Sequence, residues 1–362
     1  MRPRSLTRAT GRHFLAALVL AVWPLGAAAQ SNYSDKDFSV RLPPAFLRFT
    51  EVSTMGGETV ANRYSSASNP ASAGWIAPPG DLGIIAAPYY SAIGFEKGQW
   101  LHLTGESATW FSKDYGAFQP TLSQIRSSND SLGSDDLSFG YDVDIAQFQW
   151  GKRYGDWAVG AMFNFARAEI ARDGTPVETI PGLGPAPVAV DSDSSAESYR
   201  WRVGGLYQPA EKWLLGMIAE YGFASYRTHN IAQVLAVPVP ATVIDDEGFQ
   251  QQFVLRPGVS YEYAPLSSVY ADYQYGNFFN QRDSLVEHRF SAGVEHRLLE
   301  FMLVRAGPSM DVRGNVGLST GFSLLLGPNV SAEFGYQYNM LPELRPEFGK
   351  AQTLQAILSF RF

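Results

Sequence analysis

The last nine residues, 354–362, are the feature that most constrains how this chain folds. They read L-Q-A-I-L-S-F-R-F, and Leu354, Ala356, Leu358, Phe360 and Phe362 fall at every second position. A period of two indicates a β-strand with one apolar face. A strand that is apolar on one side and ends in an aromatic residue is typical of the strand that closes a membrane β-barrel, so we expect an outer-membrane barrel.

The first 29 residues have the composition of a signal peptide. Four arginines and no acidic residues precede a largely apolar run over 14–29, and Ala27, Ala28 and Ala29 provide a small-residue cleavage site. We therefore predict that 1–29 is an export signal. Its removal leaves 24 basic and 35 acidic residues, a net charge of −11, which does not favour nucleic acid as a partner.

The composition fits an exported membrane barrel. The chain has no cysteine, so it forms neither disulfides nor thiolate metal sites. Aromatic residues make up 14% and charged residues 17% of the chain, against about 25% charged in soluble domains. Mean hydropathy is −0.12. Such a chain can still span lipid if each strand alternates between apolar and polar side chains.

Alternation recurs along the chain and predicts about twelve strands. They are 98–111, 138–150, 157–170, 199–208, 213–226, 253–264, 269–279, 285–297, 300–310, 316–326, 330–340 and 350–362. Residues 82–93 could add a strand, and with an upstream partner the count would be fourteen. The long connections 112–135, 171–196, 227–248 and 341–349 fall on one side, as in outer-membrane barrels. The fold class is therefore all-β, a transmembrane antiparallel barrel over 81–362.

Strict alternation places charged side chains inside this barrel. Glu287, Arg289 and Glu295 share one face of their strand, and Arg256 and Arg305 fall on the same side of theirs. A charge facing lipid near the midplane would cost about 2–4 kcal/mol. We therefore predict a polar lumen with interior ion pairs, in preference to a selectivity ring. His288 and His296 fall among lipid-facing residues, for which we expect a bulge or a position at the rim.

Residues 30–80 do not alternate and form a separate unit. Pro43-Pro44, Gly56-Gly57 and a mixture of Ser, Ala and Asn exclude a membrane strand. The segment is too apolar in places for a free tail. We predict a plug folded into the barrel, with a periplasmic extension as the alternative.

The end of this segment carries a resemblance to a known family. Asn69-Pro70-Ala71 closes a stretch of small residues just before the barrel, and W-R-V-G-G-L-Y-Q-P-A-E-K-W-L-L-G follows at 201–216. With 152–170, these stretches resemble the long-chain fatty-acid and aromatic-hydrocarbon outer-membrane transporters (FadL-like). The resemblance implies a fourteen-strand barrel plugged by an N-terminal hatch that ends in Asn-Pro-Ala. Of that family's residues, only Asn69, Pro70 and Ala71 are carried over to this chain.

Two connections predicted to lie outside the cell are unusually apolar. They are 176–190 and 231–244, and water should disfavour an exposed apolar surface of that size unless it binds something. We expect these residues to capture a hydrophobic ligand, although mutual packing to cap the barrel is nearly as well supported. The candidate residues are Ile180, Leu183, Val188, Val190, Val234, Leu235, Val237, Val239, Val243 and Ile244.

The function predicted from these patterns is passive uptake of a hydrophobic small molecule across the outer membrane of a Gram-negative bacterium, gated by the plug. The alternative is a general or polar-solute porin with a periplasmic extension. The expected partners are the ligand, outer-membrane lipid with lipopolysaccharide, and the barrel-assembly machinery.

No catalytic residue, metal site or cofactor is predicted. His102, His229, His288 and His296 have no neighbouring hydroxyl in a recognisable motif, and glycine motifs for phosphate are missing. We therefore interpret the chain as non-enzymatic.

Overall fold

The computed structural model describes residues 59–62, 68–76, 82–96, 100–127, 137–175, 177–180, 184–235, 240–280, 284–339 and 349–362. A 3-10 helix, Pro70–Gly74, precedes fifteen strands. The strands are β1 Leu82–Phe95, β2 Trp100–Ser112, β3 Gly116–Ser127, β4 Leu137–Tyr154, β5 Trp157–Gly174, β6 Val177–Ile180, β7 Gly184–Ala210, β8 Trp213–Val234, β9 Thr242–Ala264, β10 Ser267–Asn280, β11 Ser284–Leu299, β12 Met302–Asp311, β13 Val316–Leu325, β14 Val330–Tyr338 and β15 Ala351–Arg361.

Fourteen of these strands form a closed antiparallel barrel. Each pairs with its neighbour in the chain, β5 pairs with β7, and β1 pairs with β15 from Ile85 opposite Arg361 to Phe95 opposite Ala351. The short β6 pairs only with the start of β7 and stands outside the barrel. The all-β barrel is confirmed, but the count of twelve strands is wrong.

The two strands missing from the count are β1 and β3. β1 lies over the segment that the sequence left open, and β3 lies within 112–135, which we expected to be a loop. Each contains a proline, Pro88 or Pro120, and proline argues against a central strand because it lacks the amide hydrogen that the ladder needs. The β2–β3 ladder indeed lacks two residue pairs beside Pro120.

All connections longer than four residues lie at one end of the barrel. Six turns of two to four residues lie at the end that carries Phe362, which we call the turn end. Connections at the other end, the loop end, reach twelve residues between β14 and β15. Much of the predicted loops 171–196 and 227–248 is strand, since β7 begins at Gly184, β8 runs to Val234 and β9 begins at Thr242.

The outward face of the barrel carries a band of exposed apolar side chains. Trp110, Phe148, Trp157 and Met217 are each about half exposed, and many aromatic and aliphatic residues share their face. An apolar surface of this extent is unusual in soluble proteins, which rarely expose patches above a few hundred Å². The band is therefore suited to contact with lipid.

Within the described ranges, no helix is long and apolar enough to cross a membrane.

His288 and His296 follow strict alternation and face outward. The β10–β11 register is continuous from Phe279 opposite Ser284 to Ser268 opposite Glu295, so this ladder has no bulge at His288. The β11–β12 ladder is irregular between Arg297 and Leu299, beside His296. His296 lies three residues from the end of β11, at the rim.

Candidate functional site

The Asn-Pro-Ala motif begins the 3-10 helix. The Asn69 Oδ1 accepts a hydrogen bond from the Ala71 N–H at 3.0 Å, and Pro70 occupies the first helical position. Asparagine is a preferred cap and proline is preorganised for the first turn. Ala71 is completely buried. The motif thus specifies a capped, closely packed turn.

Asn69 also joins two parts of the chain that are distant in sequence. Its Nδ2 donates to the Val60 carbonyl at 2.8 Å and to the Gly205 carbonyl of β7 at 3.1 Å. The Ser72 hydroxyl donates to the Asn62 carbonyl at 2.5 Å. These bonds hold 59–62 and 68–76 together, and we call these residues the N-terminal segment.

The barrel wall receives the N-terminal segment through glycines. A methyl group built at Gly160 would lie 2.5 Å from the Ala71 nitrogen, and one at Gly216 would lie 2.7 Å from the Ala61 nitrogen. Real Cβ atoms do not approach backbone this closely, so the fit depends on the missing side chains. Five wall glycines lie against the segment. A methyl group would meet its backbone at Gly151, Gly160 and Gly216, and would meet side chains at Gly204 (Asn69 and Pro70) and at Gly258 (Asp272 of the wall and Val60). Gly205 faces the other way and meets nothing.

An aspartate on β10 binds the segment from another side. The Asp272 carboxylate accepts the Val60 N–H at 3.3 Å and the Thr59 hydroxyl at 3.2 Å. It also pairs with Arg256 of β9 at 3.1 Å. The Ser68 carbonyl accepts a long hydrogen bond of 3.4 Å from Arg202. Three hydrogen-bonding groups of the wall therefore contact the segment, those of Gly205, Asp272 and Arg202, and Arg256 holds Asp272 in place.

The inward face of the later strands carries buried ion pairs. Arg202 lies 2.5 Å from Glu220, and Arg305 lies 2.5 Å from Glu295 and 3.2 Å from Glu333. The predicted interior charges do form ion pairs, but the pairs join strands one or two places apart and do not cross the barrel. Breaking such a pair is costly, about 3–5 kcal/mol, because it leaves a buried charge uncompensated. These side chains therefore hold the shape of the barrel.

An apolar lining covers the loop-end half of the inward face of β1 to β5. It comprises Ile93, Leu101, Leu103, Ile125, Val143, Ile145, Ala166 and Ala168, which pack together in one buried cluster. Val143 and Ala168 lie eight residues further from the β4–β5 turn than do Gly151 and Gly160, roughly 26 Å along the strand. The lining is therefore on the loop-end side of the N-terminal segment. The polar lumen that we predicted is wrong for this half of β1 to β5.

The residues expected to capture ligand lie mainly on strand extensions at the loop end. Val188 of β7 is opposite Val234 of β8, and Val243 of β9 is opposite Ile231. Leu235 and Val243 are 52% and 55% exposed, whereas Val188 is buried. Ile180 and Val190 are on β6 and β7, and Ile244 is on β9. Leu183, Val237 and Val239 lie outside the described residues.

Within the part of the chain that the structure describes, no three His, Asp or Glu side chains are grouped so as to hold a metal ion.

Comparison of sequences identifies no relative. No protein-family model matches the chain, and no curated protein matches it.

Comparison of structures gives clear matches. The toluene transporter TbuX of Ralstonia pickettii superposes with a TM-score of 0.57 at 16% identity, covering 85% of this chain and 96% of TbuX. The chain shares the fold of these transporters. The Pseudomonas putida toluene transporter TodX gives 0.55 at 13% identity, covering 86% and 97% of the two chains. A Pseudomonas aeruginosa FadL homologue gives 0.54 at 12% identity, covering 86% and 98%. The predicted resemblance to FadL-like proteins is confirmed at the level of the fold.

Proposed function

We propose that this chain is an outer-membrane channel for passive uptake of hydrophobic small molecules, such as fatty acids or hydrocarbons, gated by its N-terminal segment. The observation that carries the proposal is the apolar lining inside the barrel, on the loop-end side of the segment. A pore for polar solutes has no use for buried aliphatic side chains on its inner wall. The toluene transporters with the same fold support this choice of ligand class.

The orientation follows from the lengths of the connections. Outer-membrane barrels have short periplasmic turns and longer extracellular loops. The turn end would then face the periplasm and the loop end the outside. A ligand entering from outside meets Leu235 and Val243 first, the apolar lining next and the N-terminal segment last. Each methylene that leaves water on this path gains about 0.8 kcal/mol.

The contacts of the N-terminal segment suit a gate that opens by displacement. Hydrogen bonds from Asn69 to Gly205, from Val60 and Thr59 to Asp272, and from Arg202 to Ser68 join the segment to the wall. At about 0.5–3 kcal/mol each, full release would cost several kcal/mol. The gate would therefore be closed at rest and open when ligand binding offsets part of this cost.

The test introduces bulk into the apolar lining. Ala168→Phe points into the lining from β5, whereas Ala161→Phe on the same strand points outward into the apolar band. Uptake of a radiolabelled alkylbenzene or fatty acid by cells should fall severalfold for Ala168→Phe and stay unchanged for Ala161→Phe. Heat-modifiable mobility in electrophoresis checks that both barrels fold. Equal uptake by the folded Ala168→Phe variant would contradict the proposal.

The buried charges on β7 to β14 are the observation that favours a polar-solute porin instead. Liposome swelling separates the two functions, because a porin lets sugars pass and a closed hydrophobic channel does not. Rapid swelling in sugar solutions, together with unchanged hydrocarbon uptake in Ala168→Phe, would favour the porin.

A further inference from the structure

Three histidines on the outward face share one arrangement. The Tyr90 hydroxyl lies 2.6 Å from Nδ1 of His102, the Tyr273 hydroxyl 2.6 Å from Nδ1 of His288, and the Tyr263 hydroxyl 2.8 Å from Nδ1 of His296. In all three pairs the rings are stacked with centroids 6.0 Å apart. Each pair joins different strands, β1 to β2, β10 to β11 and β9 to β11. The same hydrogen-bonded and stacked Tyr–His pair thus occurs three times.

The tautomer of each histidine decides what the second ring nitrogen can do. When the tyrosine hydroxyl donates its proton to Nδ1, the neutral imidazole carries its own proton on Nε2. A protonated imidazole carries one there too. In both of these states Nε2 is a hydrogen-bond donor, and an anion beside Nε2 favours them over the opposite tautomer, in which Nδ1 donates to the tyrosine and Nε2 accepts. The tyrosine fixes the direction in which the ring points, as the outer partner of a metal-ligating histidine does.

The depth of the pairs matches the two edges of the lipid bilayer. His288 and His296 are eight residues apart on β11, about 26 Å along the strand. With the usual strand tilt of about 35–45°, this is roughly 19–22 Å across the membrane, close to an apolar band about 25 Å tall. Phe290 and Val294 face outward between them. His102 lies opposite Arg126, at the loop-end edge of the band.

Donors at these two depths face the phosphate groups of membrane lipids. We propose that His102, His288 and His296 bind lipid phosphate through Nε2, with Tyr90, Tyr273 and Tyr263 as positioning residues. His102 and His288 meet the leaflet at the loop end and His296 the leaflet at the turn end. The phosphate at the loop end comes from lipid A or from a glycerophospholipid, and the chemistry of the contact is the same for both.

Native mass spectrometry of the full-length protein tests this proposal. The purified barrel is offered phosphatidylglycerol, lipid A or diacylglycerol, which has no phosphate, and the retained lipid is counted. The wild type should retain both phosphate lipids in preference to diacylglycerol. The triple variant His102→Phe, His288→Phe, His296→Phe keeps the rings and removes the nitrogens. It should lose phosphate-lipid retention about tenfold, as expected for hydrogen bonds to a charged group, with diacylglycerol unchanged.

Matched variants separate binding from structure. His229→Phe alters an outward histidine beyond the apolar band and should leave the retention of both phosphate lipids unchanged. Tyr90→Phe and Tyr273→Phe keep the histidines but release the rings, so the preference for phosphate over diacylglycerol should fall about threefold. These variants keep the proposal testable even if the triple variant does not fold. Loss of lipid A but not phosphatidylglycerol in the His102→Phe, His288→Phe double variant identifies lipid A as the source at the loop end. If the double variant loses retention of both lipid A and phosphatidylglycerol, the loop-end histidines bind the phosphate of either lipid.

Equal retention of phosphate lipids and diacylglycerol by the wild type would overturn the proposal. So would a triple variant that still prefers phosphate lipids to diacylglycerol as strongly as the wild type does. In that case the three pairs only tie strands together, β1 to β2, β10 to β11, and β9 to β11 across β10.

Discussion

Asn69 makes hydrogen bonds that require both ends of its amide. Its oxygen accepts from Ala71, and its nitrogen donates to Val60 and Gly205. Aspartate would keep the cap but place an acceptor against two carbonyl oxygens, and alanine would leave these buried groups unpaired. Loss of a buried hydrogen-bond partner costs about 1–3 kcal/mol for each group left. The identity of this residue is therefore set by its contacts with the wall, beyond its role as a cap.

The wall glycines give the first prediction. Gly160→Ala places a methyl group 2.5 Å from the Ala71 nitrogen, so the N-terminal segment must shift away from β5. We expect higher single-channel conductance in planar bilayers, because a displaced segment blocks less of the bore. The control is Gly205→Ala on β7, where the added methyl group faces away from the segment and meets nothing within 4 Å. Equal conductance of the two variants would show that the segment does not obstruct the channel.

The exposed residues at the loop end give the second prediction. Leu235 and Val243 are apolar and more than half exposed, and burial of each against a ligand would gain roughly 1.5–3 kcal/mol. Leu235→Ser with Val243→Ser should weaken binding of a fluorescent fatty acid about tenfold or more. Leu326→Ser removes an equally exposed apolar residue at the turn end and should have no effect. Loss of heat-modifiability in the double variant would instead favour mutual capping by these residues.

At the scale of single elements, the long strands β7, β8 and β9 extend beyond the apolar band at the loop end. Their outward face changes from aromatic residues such as Phe223 to charged ones such as Arg227 and His229. His229 of β8 contacts Asp245 of β9 at 2.5 Å, and Asp191 and Asp193 of β7 are nearby. The extension is thus held by strand pairing and by exposed charges.

The pKa of His229 predicts how this extension responds to pH. The hydrogen bond to Asp245, and then the charges of Asp245, Asp191 and Asp193, raise the pKa of His229 above its usual 6.5. The ion pair between His229 and Asp245 is therefore fully present below about pH 6.5 and is lost as the pH rises through the raised pKa of His229. Amide exchange in 226–232, corrected for intrinsic rates, should be faster at pH 8 than at pH 6. Asp245→Asn should remove the difference in exchange rate between pH 8 and pH 6. If the variant keeps that difference, groups other than the His229–Asp245 pair cause it.

The strand pair β1–β15 is the element that closes the barrel. Phe362 exchanges two hydrogen bonds with Ile84, at 2.9 and 3.2 Å. Removal of Phe360 to Phe362 deletes these bonds and the outward aromatic end of β15, and we expect degraded protein or protein retained in the periplasm. Immunoblots of outer-membrane fractions, heated and unheated, measure this. Normal amounts of heat-modifiable barrel would contradict a role in assembly.

At the scale of the whole molecule, the sequence predicted best where the two faces differ most. β13 and β14 alternate apolar and polar residues because one face carries the exposed apolar band and the other buried polar groups such as Ser323. β1 and β3 were missed because apolar residues, Ile93 and Ile125 among them, also face inward, so their two faces differ less. The bond from Val60 to Asp272 spans 212 residues, and no local pattern reveals a contact of that kind.

The closed barrel and its N-terminal segment together give the last prediction. Deletion of 31–71 removes Asn69 and Val60, and with them the bonds to Gly205 and Asp272. If the segment plugs the bore, single-channel conductance in planar bilayers should rise severalfold. Heat-modifiability should persist, because all fourteen barrel strands begin after residue 81. An unchanged conductance would support the periplasmic-extension alternative.

The five wall glycines also bear on ancestry. At Gly160 and Gly216 the atoms that need the space belong to the backbone of the segment, so most of its side chains can change while it stays packed against the wall. A descendant that lost the segment would be released from this restriction, and larger residues would accumulate first at Gly151, Gly160 and Gly216. The same positions in distant relatives would then record which lineages still carry an N-terminal segment, even where its own sequence has diverged beyond recognition.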